Sequence, residues 1–165
     1  MTGGPGTDRR PIVVIGVGNE FRRDDGIGPE VLSRLRGRAP DGVRLVTSDG
    51  EPARMIEAWT GAWLAVVVDA VLADTPNPGR LHRIVVDRAL GADARPVSSH
   101  GLGLGESIAL ARALDRMPER LIVHAVEAAE AGYGVGLTPA VAAAADALAA
   151  AVLRDLPAEL SGPET

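Results

Sequence analysis

Apolar residues along the chain fall into short runs divided by polar, Gly-rich and Pro-rich breaks, and strand-like and helix-like runs alternate. Residues 11–15 form a β-branched run ending at Gly16, the pattern of a buried parallel strand feeding a Gly-rich loop. Ile27, Val31, Leu32 and Leu35 then recur at helical spacing, with Pro29 tolerable in the first turn. Residues 37–42 read as a turn, residues 43–47 as a second strand running to Asp49, and Gly50, Glu51 and Pro52 as its break. Ala53, Met55, Ile56 and Trp59 support a short amphipathic helix, with Trp59 as core filler. Residues 63–68 are nearly all apolar and end at Asp69, as expected of a central strand covered on both faces.

The second half continues the alternation. Residues 74–79 form a Pro/Asn/Gly turn, and residues 80–87, RLHRIVVD, alternate as a strand nearer the sheet edge does. His82 within it reads as structural or solvent-facing. Residues 89–96 are an irregular connection, and residues 97–105, VSSHGLGLG, are a Ser/Gly-rich loop leading into a helix over residues 106–114. Residues 121–126 form another strand, with His124 as a satisfied sheet histidine, and residues 127–136 loop over the sheet's end. Thr138 offers a capping hydroxyl and Pro139 a first helical residue. The last helix completes over residues 141–156, packing through Val141, Leu148, Val152 and Leu156.

This order implies an α/β fold: a three-layer α/β/α sandwich around a mostly parallel sheet of about five strands, phosphorylase/hydrolase-like in architecture. Neither an internal repeat nor a linker divides the chain, so residues 1–165 are expected to form a single domain with its core at residues 11–156 and loose polar termini.

Composition then removes whole classes of chemistry. The absence of cysteine excludes disulfides, thiolate metal sites and a cysteine nucleophile. The sequence contains no lysine either, so all seventeen basic residues are arginine, and Schiff-base chemistry and a P-loop lysine are excluded. A formal charge of −5 with scattered arginines argues against nucleic acid. Residues 1–10 carry no secretory apolar segment, and no apolar run approaches the ~20 residues of a membrane helix, so a cytoplasmic monomer with no membrane contact is expected.

Chemistry concentrates at the exit of the first strand. Gly16 and Gly18 permit positive φ and close backbone approach, Asn19 can fold back on its own backbone, and Asp24 and Asp25 place carboxylates before Gly26. A dinucleotide fingerprint fits poorly, because its third glycine position is Phe21 and two carboxylates would repel a pyrophosphate. In open α/β sheets ligands bind beyond the carboxyl ends of the strands. Asp25 follows the first strand, Asp69 closes the most hydrophobic one, and His100 lies in the loop after the fourth, so all three can meet at one end. A buried aspartate ending an apolar run needs a partner. Two carboxylates and an imidazole make a donor set suited to nickel or zinc, with positions left for water or another ligand. The competing reading makes Asp24 or Asp25 a helix cap, Asp69 an acceptor of backbone N–H groups and His100 a turn residue; residue spacing is compatible with both. Ser98 and Ser99 adjoin His100, but no G-x-S-x-G elbow supports a serine hydrolase.

Four stretches together resemble the hydrogenase maturation endopeptidases: GVGNEFRRDDGIGPEV at residues 16–31, VVVDA at 66–70, SSHGLGLGESIAL at 98–110 and GVGLTPAV at 134–141. The resemblance runs over residues 12–156 and implies cytosolic removal of a C-terminal extension from the large-subunit precursor of a nickel–iron hydrogenase, after nickel insertion. It places the metal-contacting carboxylate, the second acid and the histidine on Asp25, Asp69 and His100. Some relatives have glutamate where the shorter Asp25 stands. The implied nickel is carried by the precursor, with zinc or another divalent ion as an alternative occupant of the free protein. Asp24 is a helper that orients a neighbour or caps the helix, with general base as a further role. A non-proteolytic nickel-sensing assembly chaperone of the same fold is the alternative.

Overall fold

The apolar runs become five strands, β1 (Ile12–Val17), β2 (Val43–Ser48), β3 (Leu64–Val71), β4 (Leu81–Asp87) and β5 (Arg120–Glu127), in a computed structural model describing residues 10–87 and 104–157. The helices are α1 (Ile27–Leu35), α2 (Pro52–Trp59), α3 (Leu104–Ala113) and α4 (Pro139–Asp155), with a 3₁₀ turn at Arg23–Gly26 before α1. The sheet order is β2-β1-β3-β5-β4, parallel throughout except for β4, which runs antiparallel to β5 at the far edge. The expected α/β/α sandwich and the central place of β3 are therefore observed. No helix among the described residues is long and apolar enough to cross a membrane.

Strand periodicity divides the core into two layers. Ile12 and Val14 of β1, with Leu64, Val66 and Val68 of β3, pack against α1 and α4; Val13, Ile15 and Val17, with Ala65 and Val67, pack against α2 and α3. Both faces being covered, β1 and β3 need continuous apolar runs. The same alternation turns Asp69, next after Ala65 and Val67 in its row, toward the α2 and α3 side.

Three sequence expectations shift. β1 continues through Gly16 to Val17, because Gly16 keeps register with Thr47 of β2 and Val68 of β3. Gly16 has no positive φ; its small size is needed for packing, since a Cβ there would lie 2.6 Å from the Gly28 carbonyl oxygen. One on Gly28 would lie 2.3 Å from that of Val17. This glycine pair lets α1 lie directly on β1. Helix α3 begins at Leu104, two residues before the expected start, and Asp69 sits inside β3, which continues to Val71.

Both strand histidines are structural, as expected. His82 Nε2 lies 2.9 Å from Glu127 Oε2. His124 is buried with Nε2 2.6 Å from Asp155 Oδ2, and Arg83 donates to both oxygens of the same carboxylate, so the end of α4 is clamped to β4 and β5. The irregular connection over residues 89–96, most of the Ser/Gly-rich loop, Ser98, Ser99 and His100 lie outside the described residues.

Candidate active site at the carboxyl end of the sheet

The loop after β1 is built by its own backbone chemistry. Gly18 adopts φ +132°, and its N–H donates to the Ser48 carbonyl at 2.9 Å, tying the exit of β1 to that of β2. Asn19 folds back as expected, its Oδ1 accepting from Phe21 N–H at 2.9 Å. Arg23 then takes the left-handed conformation at φ +50°, and the 3₁₀ turn sends Asp24 and Asp25 to different environments.

Asp24 points inward and is fully buried. Its Oδ2 accepts from Ala129 N–H (2.8 Å) and Glu130 N–H (3.0 Å), its Oδ1 accepts from Thr138 N–H (2.7 Å), and the Thr138 hydroxyl reaches both oxygens. Burial acts to raise its pKa, but these donors outweigh it and hold the carboxyl below its ordinary value. With its oxygens occupied, Asp24 has no position for general-base work; it anchors the loop over residues 128–138. Thr138 in turn spends its hydroxyl on Asp24, so α4 starts without the side-chain cap that the sequence suggested.

Asp25 points to the strand exits. Its Oδ2 accepts from Asn19 N–H at 2.9 Å, and its Oδ1 receives no hydrogen bond from a described residue. Asp69 shows the same half-satisfied state, with Oδ1 accepting from its own neighbour Ala70 N–H at 2.8 Å and Oδ2 unpaired among the described residues. Asp69 is 8% exposed, and burial pushes its pKa up to about 8; the Ala70 N–H opposes that shift and the negative charge of Asp25 adds to it. The two acids line one cavity of about 140 Å³ with Asp49, Met55, Leu104 and the glycine-rich exits of β1 and β2. The structure thus brings Asp25 and Asp69 together, while His100 falls outside the described residues.

Two carboxylates, each with one oxygen fixed by a backbone N–H and the other without a partner among the described residues, suit a divalent cation. Among the described residues no group of three His, Cys, Asp or Glu side chains is arranged to hold a metal by itself.

Two features were not anticipated from sequence. Asp49 directly follows β2 and lines the acid cavity; its position at a strand exit was the available signal. Phe21, Tyr133 and Val135 are 59%, 93% and 72% exposed on adjoining loops, which a parallel bridge between Arg22 and Gly134 joins. Nothing in their sequence spacing, more than a hundred residues apart, pairs them.

Residues 30–155 match the family model described as hydrogenase maturation protease. The hydrogenase 2 maturation protease of Escherichia coli (strain K12) is 25% identical over 134 residues, covering 80% of this chain and 82% of that protein. The hydrogenase expression/formation protein HupD of Thiocapsa roseopersicina is 31% identical over 134 residues, 78% of this chain; the match spans 59% of that longer protein. In fold, the E. coli hydrogenase maturating endopeptidase HybD superimposes with a TM-score of 0.72 at 24% identity, covering 87% of this chain and 90% of that one.

Proposed function

We propose, from the premise that this chain belongs to the hydrogenase maturation protease family, that it is a cytoplasmic, monomeric endopeptidase that removes the C-terminal extension of a nickel–iron hydrogenase large-subunit precursor after nickel insertion. Asp25, Asp69 and His100 are the residues that meet the precursor's nickel. The observation carrying this reading is the pair of half-satisfied carboxylates at the strand exits, with Asp69 buried against its own ionisation.

Each residue then has a distinct task. Asn19 N–H fixes one oxygen of Asp25 and so aims the other into the cavity. Asp69, held neutral by burial, is the carboxyl with most to gain from a nearby cation, since an opposite charge restores the anionic form. Nickel brought by the precursor, or zinc in the free protein, would supply polarisation of a carbonyl or a more acidic water. Asp24 keeps the loop over residues 128–138 as a fixed wall against the 3₁₀ turn that carries Asp25. The exposed Phe21, Tyr133 and Val135 give that wall an apolar surface of the kind that meets a protein-sized partner.

The test is incubation with nickel-loaded precursor followed by mass measurement of the large subunit. The expected result is loss of one C-terminal segment from the loaded precursor and none from the nickel-free form. A loaded precursor that binds and stays intact would replace this reading with the non-cutting nickel-sensing chaperone. Rapid processing of nickel-free precursor under chelation would instead remove nickel from the recognition step.

A further inference from the structure

A second, larger cleft of about 460 Å³ joins the acid cavity. Its lining includes Arg44, Val46, Thr47 and Ser48 of β2 and Arg54 and Ala58 of α2, and it shares Gly18 and Asp49 with the cavity that holds Asp25 and Asp69. The two thus adjoin at Gly18 and Asp49 and form a trough on the α2 face of β2, beside the outer edge of the sheet.

The backbone of that edge is unpaired among the described residues. Among the described residues β2 pairs with β1 alone, and none lies on its other side as a strand. Ser48 turns its carbonyl inward, to Gly18 N–H. The N–H and C=O of one strand residue point to the same side, and successive residues alternate, so Arg44, Val46 and Ser48 face β1 while Leu45 and Thr47 present their backbone groups outward. Such an edge is a template for another strand. Helix α2 forms a ledge beneath it: Arg44 donates to the Ala58 carbonyl at 2.8 Å, small Ala58 leaves room, and Arg54 is paired with Asp49.

We propose that this edge binds the extended C-terminal segment of the precursor as an added strand, antiparallel to β2. The proposal rests on the reading of the protein as a precursor-processing endopeptidase. Direction follows from connectivity, because a tail that leaves a scissile bond beside Asp25 and Asp69 must run from Ser48 back toward Val43. The occupant follows from continuity: the cleft shares Gly18 and Asp49 with the cavity that holds Asp25 and Asp69, so a chain cut at the acids has its next residues beside this edge. The six residues of β2 span about 20 Å, so five or six residues of tail are held through main-chain bonds to Leu45 and Thr47. Main-chain bonding reads extension more than side-chain identity, while the mixed charges of Arg54 and Glu57 face alternate side chains of the tail.

Two measurements test this. In the first, a synthetic peptide of the precursor's C-terminal extension is added to the full chain and amide hydrogen exchange is followed. The outward amides of Leu45 and Thr47 should slow by at least tenfold while those of Arg44 and Val46 change little; equal exchange with and without peptide overturns the proposal. In the second, Thr47→Pro removes one outward N–H without touching the ladder to β1, and Ala58→Trp fills the trough from the helix side. Either folded variant should raise KM for the loaded precursor about tenfold with kcat little changed. Parent-like KM in both, with native circular dichroism, also overturns it. A parent that cuts no precursor defeats the functional reading instead, and the exchange experiment then judges the peptide site independently.

Discussion

Replacing Asp24 by asparagine is expected to cost the fold more than any direct chemistry. The side chain is isosteric, but its amide nitrogen must take the place of Oδ1 or Oδ2, and both oxygens face backbone N–H donors. The better orientation keeps an oxygen toward Ala129 and Glu130 and sets a nitrogen against Thr138 N–H at what was a 2.7 Å contact. One buried donor left unmet costs about 1–3 kcal/mol, and each retained bond weakens by about 1 kcal/mol when its acceptor loses its charge. Relief of the buried charge offsets part of this, leaving a net loss of about 2–4 kcal/mol. For a chain of this size that corresponds to a Tm lowered by roughly 5–15 °C. Thr138→Val, which removes only the hydroxyl donor, should cost about 1 kcal/mol.

Thermal melts by circular dichroism at pH 7, with guanidinium unfolding as a second measure, give the comparison. If Asp24→Asn melts within about 2 °C of the parent, the anchoring role is wrong. If it keeps full stability and loses all cleavage, Asp24 works in the reaction instead.

Gly28→Ala should destabilise by roughly 3 kcal/mol, read by guanidinium unfolding, because its Cβ would meet Val17 backbone atoms at 2.3 and 2.5 Å and lift α1 from β1; a parent-like midpoint would show that the two elements slide freely. Asp69→Asn should abolish processing of loaded precursor in the mass assay while leaving the fold intact, and retained turnover would remove Asp69 from the site. Tyr133→Ala should raise KM about tenfold at unchanged kcat if the exposed loop pair carries the precursor, since an apolar anchor is worth about 1–2 kcal/mol; unchanged KM would free that surface of the role. His124 is held below its ordinary pKa, first by burial and against the pull of Asp155, so the native protein refuses a proton that the unfolded chain accepts below about pH 6.5. The stability of the parent relative to His124→Gln should therefore fall as pH drops below that value. Taking the difference cancels the opposite slope of Asp69, whose raised pKa makes the native state the proton binder. A difference that grows on acidification would contradict the burial argument.

Sequence showed the sheet most clearly where burial is two-sided. Residues 63–68 could be little other than a central strand, and Leu64–Val71 pairs on both sides through most of its length. Asp25 and Asp69 were legible for the related reason that a charge at the end of such a run lies where parallel strands open. Asp24 was harder to place, because its role depends on Ala129, Glu130 and Thr138, more than a hundred positions away. Neighbouring carboxylates look equivalent on paper, and only the 3₁₀ turn following left-handed Arg23 makes one a buried anchor and the other a cavity group.

The glycines teach the same lesson at closer range. Gly16 and Gly18 look alike in G-x-G, yet the structure uses them differently: Gly18 supplies a positive φ that joins two strand exits, and Gly16 supplies an absent side chain beneath Gly28. A dinucleotide motif also uses glycine for close helix–strand packing, which is why the stretch invites comparison with one. Here the loop continues through Phe21 to Asp25 before α1 begins at Ile27, so the helix N-terminus is preceded by two carboxylates where a phosphate would need open N–H groups. The same glycine packing that serves anion binding elsewhere therefore supports an acidic site in this chain, and the residues separating the two outcomes are those between the second glycine and the helix.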